Sequence, residues 1–221
     1  MKNNKMELTA VLLSLANLIV AVVFILRLPE TVPTHYNVDW VCDGVGSRWT
    51  GMILPVLAVI MPLIAPLINN KSQKTENGRH VAQIVILMID IFFIVYGWFI
   101  MISMDTGVQI GEQAGIPDMG WLMSVLLAFM FIGMGNYMPI MPQSKTLGIK
   151  IKYTLENEAC WKLTHRMAGK LWVATGIVHL LLSLLALLLH AEQFWMFILL
   201  FVMMTVNMVV PCIYAYQHKD A

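Results

Sequence analysis

Apolar residues in this chain run in long blocks rather than in the short periods of a soluble helix or strand. Six windows, residues 8–26, 52–68, 81–104, 119–138, 169–189 and 194–216, are predominantly apolar. Each is close to the roughly 20 residues that an α-helix needs to cross the hydrocarbon core of a bilayer. The pattern predicts an all-α, polytopic integral membrane protein with six transmembrane helices. The first block follows Lys2 and Lys5, as the core of a signal peptide would. It is long for such a core and no small-x-small cleavage pattern follows, so a retained helix is expected. Polar residues collect between the blocks, above all in residues 28–50 and 136–166.

Composition agrees with the blocks. Of 221 residues, 59% are hydrophobic and 12% charged, against about half and a quarter in a soluble domain; the mean hydropathy is +0.74. A net charge of +1 gives no field that would gather nucleic acid. Cys42, Cys160 and Cys212 are too few and too scattered for a disulfide framework or a zinc site. The 18 Met residues suit lipid-facing and helix-packing positions. No HExxH, GxSxG or GxxxxGK[ST] pattern occurs, so neither an enzyme nor a cofactor is expected.

Charge sets the orientation. With the N-terminus inside, 12 of the 14 Lys and Arg residues fall in cytoplasmic segments, and only Arg27 and Arg48 fall outside. That bias predicts cytoplasmic N- and C-termini. The outer segments carry Glu30, Asp39, Asp43, Asp105, Glu112, Asp118 and Glu192 instead, while Lys71, Lys74 and Lys145 are among the inner cations. Residues 136–166 then form the largest cytoplasmic segment, where each cation gains about 1 kcal/mol against anionic lipid. Membrane lipids are therefore the first expected partner. In the same segment Thr154 is expected to cap a short helix with Glu156 and Glu158 in its first turn. Tyr153, Leu163 and Trp161 are expected at the membrane interface.

Three places invite chemistry, each with a structural alternative. His35 sits in "PETVPTHYN", stiffened by Pro29 and Pro33 and close in sequence to Glu30, Asp39 and Asp43. It reads either as an outward recognition site for a cationic or amphipathic peptide or as part of a capping network. Its spacing specifies no metal geometry. Asp90 lies near the middle of the third span, with Asn17, His179 and Asn207 as potential partners at the middle of spans one, five and six. An ionised Asp there costs about 2.5–3.5 kcal/mol, so it is expected to face protein or water. It reads as a polar switch or proton path, or as an interhelical hydrogen bond. Pro55, Pro62 and Pro66 share one face of the second span and read as a kinked, cavity-lining helix or as ordinary membrane-helix prolines.

The stretch "GNYMPIMPQSKTLGIKIKYTLENEACWKLTHRMAGKLWVATG", residues 135–176, resembles the signature of the SdpI family of bacterial membrane proteins. Gly135, Asn136, Met138, Pro139, Gly148, Ile149, Thr154, Leu155, Trp161, Thr164, His165, Arg166 and Gly169 match it. Ser144, Lys150 and Tyr153 stand where that pattern usually has Asn, Arg and Trp. Residues 28–49, "LPETVPTHYNVDWVCDGVGSRW", are similar to the domain of unknown function that commonly precedes it. Pro33, His35, Tyr36, Asn37, Asp43, Gly46, Ser47 and Arg48 match there, and Trp40 replaces a usual Gly.

The resemblance implies six transmembrane helices and immunity to a secreted peptide toxin of the sporulation-delay type. It further implies a cytoplasmic transcriptional repressor as partner. On it, residues 1–70 form an N-terminal hairpin of spans one and two with the outer P-T-H-Y-N loop. Residues 71–221 form the SdpI-like region, spans three to six, with a large cytoplasmic loop at 139–168. The candidate residues are His35, Tyr36, Asn37, Asp39, Asp43 and Arg48 for the toxin and Asn17, Asp90, His179 and Asn207 within the membrane. Asn136, Lys150, Trp161, Thr164, His165 and Arg166 are the candidates for a cytoplasmic partner or lipid. A small proton-linked transporter using Asp90 is the competing reading, although no internal repeat suggests two halves.

Overall fold

A computed structural model describes the backbone of residues 2–37, 39–72, 76–112, 119–145, 147–189 and 193–221, and the side chains of these except residues 2–4, 65–72, 76–77, 119–120 and 193. Lys74, Asp118 and Glu192 lie outside the described residues, as do the side chains of Lys2, Lys71 and Pro66. The element order is α1 (Lys2–Ile25), β1 (Thr31–Tyr36), β2 (Cys42–Ser47), α2 (Ile53–Ser72), α3 (Glu76–Met104), α4 (Met119–Tyr137), α5 (Lys152–Glu156), α6 (Glu158–Leu188) and α7 (Gln193–Gln217). Among the described residues five helical stretches are long and apolar enough to cross a membrane: Lys5–Ile25, Gly78–Met104, Trp121–Ile140, Glu158–Leu188 and Phe194–Gln217. In hydrocarbon every backbone group must be satisfied within the protein, which is why such apolar blocks become helices. The chain is a multi-pass, mostly helical membrane protein.

Two expectations need correction. The fold is not wholly α: β1 and β2 form an antiparallel hairpin, with Thr31 opposite Ser47 and His35 opposite Gly44. A polar stretch outside the apolar blocks can pair its backbone between strands, and Thr31 and Val32 are good strand formers. Residues 136–166, in turn, are not a loop. α4 ends at Tyr137, a 3-10 turn follows, and α6 already begins at Glu158. The described residues of 141–151, hereafter the strap, lack regular structure.

Two compact units are present. The first comprises residues 1–64 and 89–122. Ala21, Ile25, Leu28, Val32, Met101 and Met104 form its core, with Phe24, Met52 and Trp98 packed against it. Ser14 meets Asp90, Asn17 meets Trp98, and Phe24 stacks edge-on against Trp98. Partners on α3 advance as α1 advances, so the two helices run in the same direction.

The second unit comprises residues 65–88 and 123–221. Here α4 and α6 run antiparallel at very short range. A Cβ on Gly169 would come within 2.7 Å of the Gly135 carbonyl oxygen and 2.8 Å of Pro139 Cδ, and one on Gly176 within 3.0 Å of the Ala128 carbonyl oxygen. Between membrane helices, packing rather than water exclusion holds the pair, and small residues permit the approach. α7 lies antiparallel to α6: Cys160 Sγ contacts the Ala215 carbonyl at 3.4 Å, and Thr175 pairs with Asn207.

Gly169→Leu should therefore separate α4 from α6 and cost about 1–3 kcal/mol, the usual scale of overpacking. Reversible unfolding in mixed detergent micelles measures it. Ala174→Leu, at an exposed position of the same helix, should leave stability unchanged.

Candidate functional site

The strap is held on α6 almost entirely by side chains reaching its backbone. Trp161 Nε1–H donates to the Met141 carbonyl at 2.8 Å. His165 Nε2 accepts the Ile149 N–H at 3.0 Å, while Nδ1–H donates to the Trp161 carbonyl at 2.9 Å. An imidazole that accepts at one nitrogen and donates at the other is neutral, so this arrangement fixes the tautomer. The Trp161 and His165 rings stack at 3.8 Å. Gly148 turns over them with φ +105°, and a Cβ there would lie 2.5 Å from His165 Nε2. Glycine is required on both counts.

Thr154 does not cap α5 as its first residue. It occupies the third position, accepts the Ile151 N–H at 3.1 Å and donates to the Ile149 carbonyl at 2.7 Å. Asn157 caps α6 instead, accepting from Ala159 and Cys160. Trp161 is likewise not an interfacial anchor, being only 1% exposed. Thr164 and His165 are buried as well, whereas Asn136, Lys150 and Arg166 are exposed. Glu158 pairs with Lys162 rather than with His165 or Arg166. Ser144 accepts the Leu147 N–H at 3.3 Å, a turn-closing task that Asn performs equally well. Gln143, which donates to the Thr154 and Leu155 carbonyls, carried no sequence signal.

On the hairpin, His35 Nδ1 and Asp43 Oδ1 are 2.5 Å apart, with side chains 71% and 45% exposed. Asn37 Oδ1 accepts from the N–H groups of Asp39 and Val41, so it shapes the turn. Trp40 occupies that turn with φ +60°, the left-handed conformation that explains a usual Gly there. Arg48 donates to the Leu28 carbonyl at 2.7 Å and closes the hairpin base. Tyr36 is half-buried, and desolvation raises its phenol above the ordinary value. Of the six hairpin candidates, His35, Asp39 and Asp43 are the ones whose side chains are exposed without shaping the turn. Among the described residues no three His, Cys, Asp or Glu side chains converge as a metal site would need.

Each intramembrane polar residue is described by its own contacts. Asp90 is fully buried and accepts from the Ser14 hydroxyl at 3.0 Å. Asn17 accepts from Trp98 Nε1–H at 2.7 Å. Asn207 pairs with Thr175 at 2.9 Å and accepts Trp172 Nε1–H on its carbonyl. His179 is fully buried with neither ring nitrogen bonded among the described residues. Ser14 lies three residues before Asn17, so the polar face of the first span was readable, although the pairing was not.

These features define a helical membrane protein with a β-hairpin insertion and a strap clamped onto one long helix. Comparison with known proteins adds the family. The SdpI/YfhL protein family matches residues 140–215, and a domain of unknown function (DUF1648) matches residues 12–59. "Immunity protein SdpI" of Bacillus subtilis (strain 168) is 26% identical over 190 residues, covering 83% of this chain and 82% of that protein. The chain thus carries an SdpI-family region, preceded by the DUF1648 segment. No solved structure matches it.

A double-mutant cycle on Ser14→Ala and Asp90→Leu should give a coupling of about 0.6 kcal/mol, the average for hydrogen bonds between membrane helices, and no more than about 1.7 kcal/mol. Detergent unfolding measures it. Trp40→Gly should relieve about 1–2 kcal/mol of left-handed strain, offset in part by lost contact with Tyr36, and hydrogen exchange in the hairpin should slow.

Proposed function

We propose that this chain is an immunity protein of the bacterial cytoplasmic membrane, which protects its cell from a secreted peptide toxin by binding and without turnover. The observation that supports it most is the ordered pair of matched regions together with similarity, over most of both chains, to a protein named for immunity. Six crossings and cytoplasmic termini fit this reading. α1 and α3 run in the same direction, so the chain must return between them, and α2 is the long helix available. Its 20 residues extend about 30 Å, the thickness of a bilayer core.

The Lys and Arg bias then puts the hairpin outside and the strap inside. Outside, exposed His35, Asp39 and Asp43 offer a carboxylate-rich surface to a cationic or amphipathic peptide. Inside, a transcriptional repressor would meet Asn136, Lys150 and Arg166, because Trp161 and His165 are spent on the strap and Thr164 is buried. A second reading, proton-linked transport, is favoured by the fully buried Asp90, which among the described residues is bonded by the Ser14 hydroxyl.

Toxin-sensitive cells expressing the protein, challenged with a sporulation-delay-type peptide at matched membrane levels, test these readings. Wild type should protect. His35→Ala should lose protection at least tenfold, while Arg166→Ala and Asp90→Asn should retain it. No protection by well-expressed wild type would sink immunity to that toxin. A pH-dependent flux abolished by Asp90→Asn would put transport first.

A further inference from the structure

A cavity of about 530 Å³ opens within the first unit, between β1, Val45 of β2 and the residues that follow α3. Its size lies within the range of about 300–1,000 Å³ typical of ligand sites. Val32 and Met104, which belong to the buried core of this unit, line it. Val45 and Ile110 add exposed apolar groups to the same wall. The segment after α3 is tied to the hairpin: the Gly111 N–H donates to the Cys42 carbonyl and the Cys42 N–H to the Glu112 carbonyl, both at 2.9 Å. β1 is an edge strand, and Pro33, which has no N–H, interrupts that edge and opposes continuous strand addition. Recognition here therefore falls to side chains.

Charge narrows the occupant. Asp105 lines the cavity, is exposed, and its carboxylate pairs with none of the described residues. Asp39, Asp43 and Glu112 are exposed in the same two segments, whereas Arg48 is already engaged by the Leu26 and Leu28 carbonyls. An apolar cavity with an unpaired carboxylate in its wall is complementary to an apolar side chain next to a cationic one. We propose that this cavity takes such a pair of neighbouring side chains from the secreted peptide toxin. The apolar one packs against Val32, Val45 and Met104, and the ammonium or guanidinium meets Asp105. That the occupant is a toxin peptide, and that this face is the outer one, rests on the immunity reading. An anionic lipid would be repelled by the carboxylates, and a small inorganic cation would leave the apolar wall uncovered. His35 lies opposite Gly44, the neighbour of Val45, so a peptide seated here continues onto His35 and Asp43.

Binding of a fluorescently labelled sporulation-delay-type peptide to the full chain in nanodiscs tests it, with protection of sensitive cells read alongside. Asp105→Asn should weaken binding about tenfold and flatten its dependence on salt. Val45→Trp fills the cavity with a residue that strands favour, and should weaken binding at least as much with the salt dependence kept. Glu30→Gln, which removes an exposed carboxylate outside the cavity, should change affinity by less than about twofold. Should Val45→Trp loosen the hairpin, Ile110→Lys serves in its place, setting a cation beside Asp105 at an exposed turn position. Wild type that binds and protects while the cavity variants bind as tightly would overturn the cavity assignment and leave immunity standing. Wild type that neither binds nor protects would remove both. Equal weakening by Glu30→Gln would reduce the site to a general acidic surface. Displacement of the peptide by benzyltrimethylammonium at matched concentration would make it a site for small organic cations. Either result overturns the proposal.

Discussion

Inside a bilayer no water is available to a polar group, and one left without a partner costs several kcal/mol. Much of this fold follows from that constraint. Ser14 and Asn17 find Asp90 and Trp98, and those two contacts fix how α1 lies along α3. Trp172 and Thr175 find Asn207, which sets α6 against α7. Polarity within the membrane thus acts as an address for helix pairing. The strap obeys the same constraint in a different way. Irregular backbone packed against protein must find partners just as a helix does. Here Trp161, His165, Thr154 and Gln143 supply the partners that a helix or a sheet would otherwise provide.

Close approach is the second requirement, because those side-chain bonds reach only about 3 Å. Gly135 and Gly169 face one another, and Pro139 sits over Gly169. That contact brings the end of α4 onto α6 and delivers the strap to the ring stack of Trp161 and His165. Gly148 then passes over the rings in a conformation that other residues resist. Most of the SdpI-like pattern therefore describes one packed object. Its glycines admit the backbone, and its Thr, Trp and His satisfy it. A family pattern of this kind speaks first about fold, and function must be argued from the residues left over.

The long helices and the membrane class were legible because hydrocarbon imposes a length and a composition that composition alone satisfies. The β-hairpin was harder to see. Two six-residue strands interrupted by Pro33, Gly44 and Gly46 have none of the alternation that marks a half-buried sheet. Partners of intramembrane residues were also hidden, since Ser14 hydrogen-bonds Asp90 across 76 positions in the chain and no local period records such a pairing. Trp161 and His165 misled for a related reason. A Trp beside cations near a span reads as an interfacial anchor. In the fold its indole N–H is needed by a carbonyl 20 residues away.

Burial of the pattern residues narrows where recognition can happen. A side chain that holds the fold cannot easily be released to a partner, because its own site would be left with an unpaired buried group. His35 and Asp43 are under no such obligation. A contact between two such exposed polar side chains contributes little to stability, so the hairpin scarcely depends on it. Its turn is made by Asn37 and its base by Arg48. The pair is therefore presented on a scaffold built by other residues, which is the arrangement a recognition surface needs: groups free to exchange water for a ligand, on a backbone that stays in place when they do.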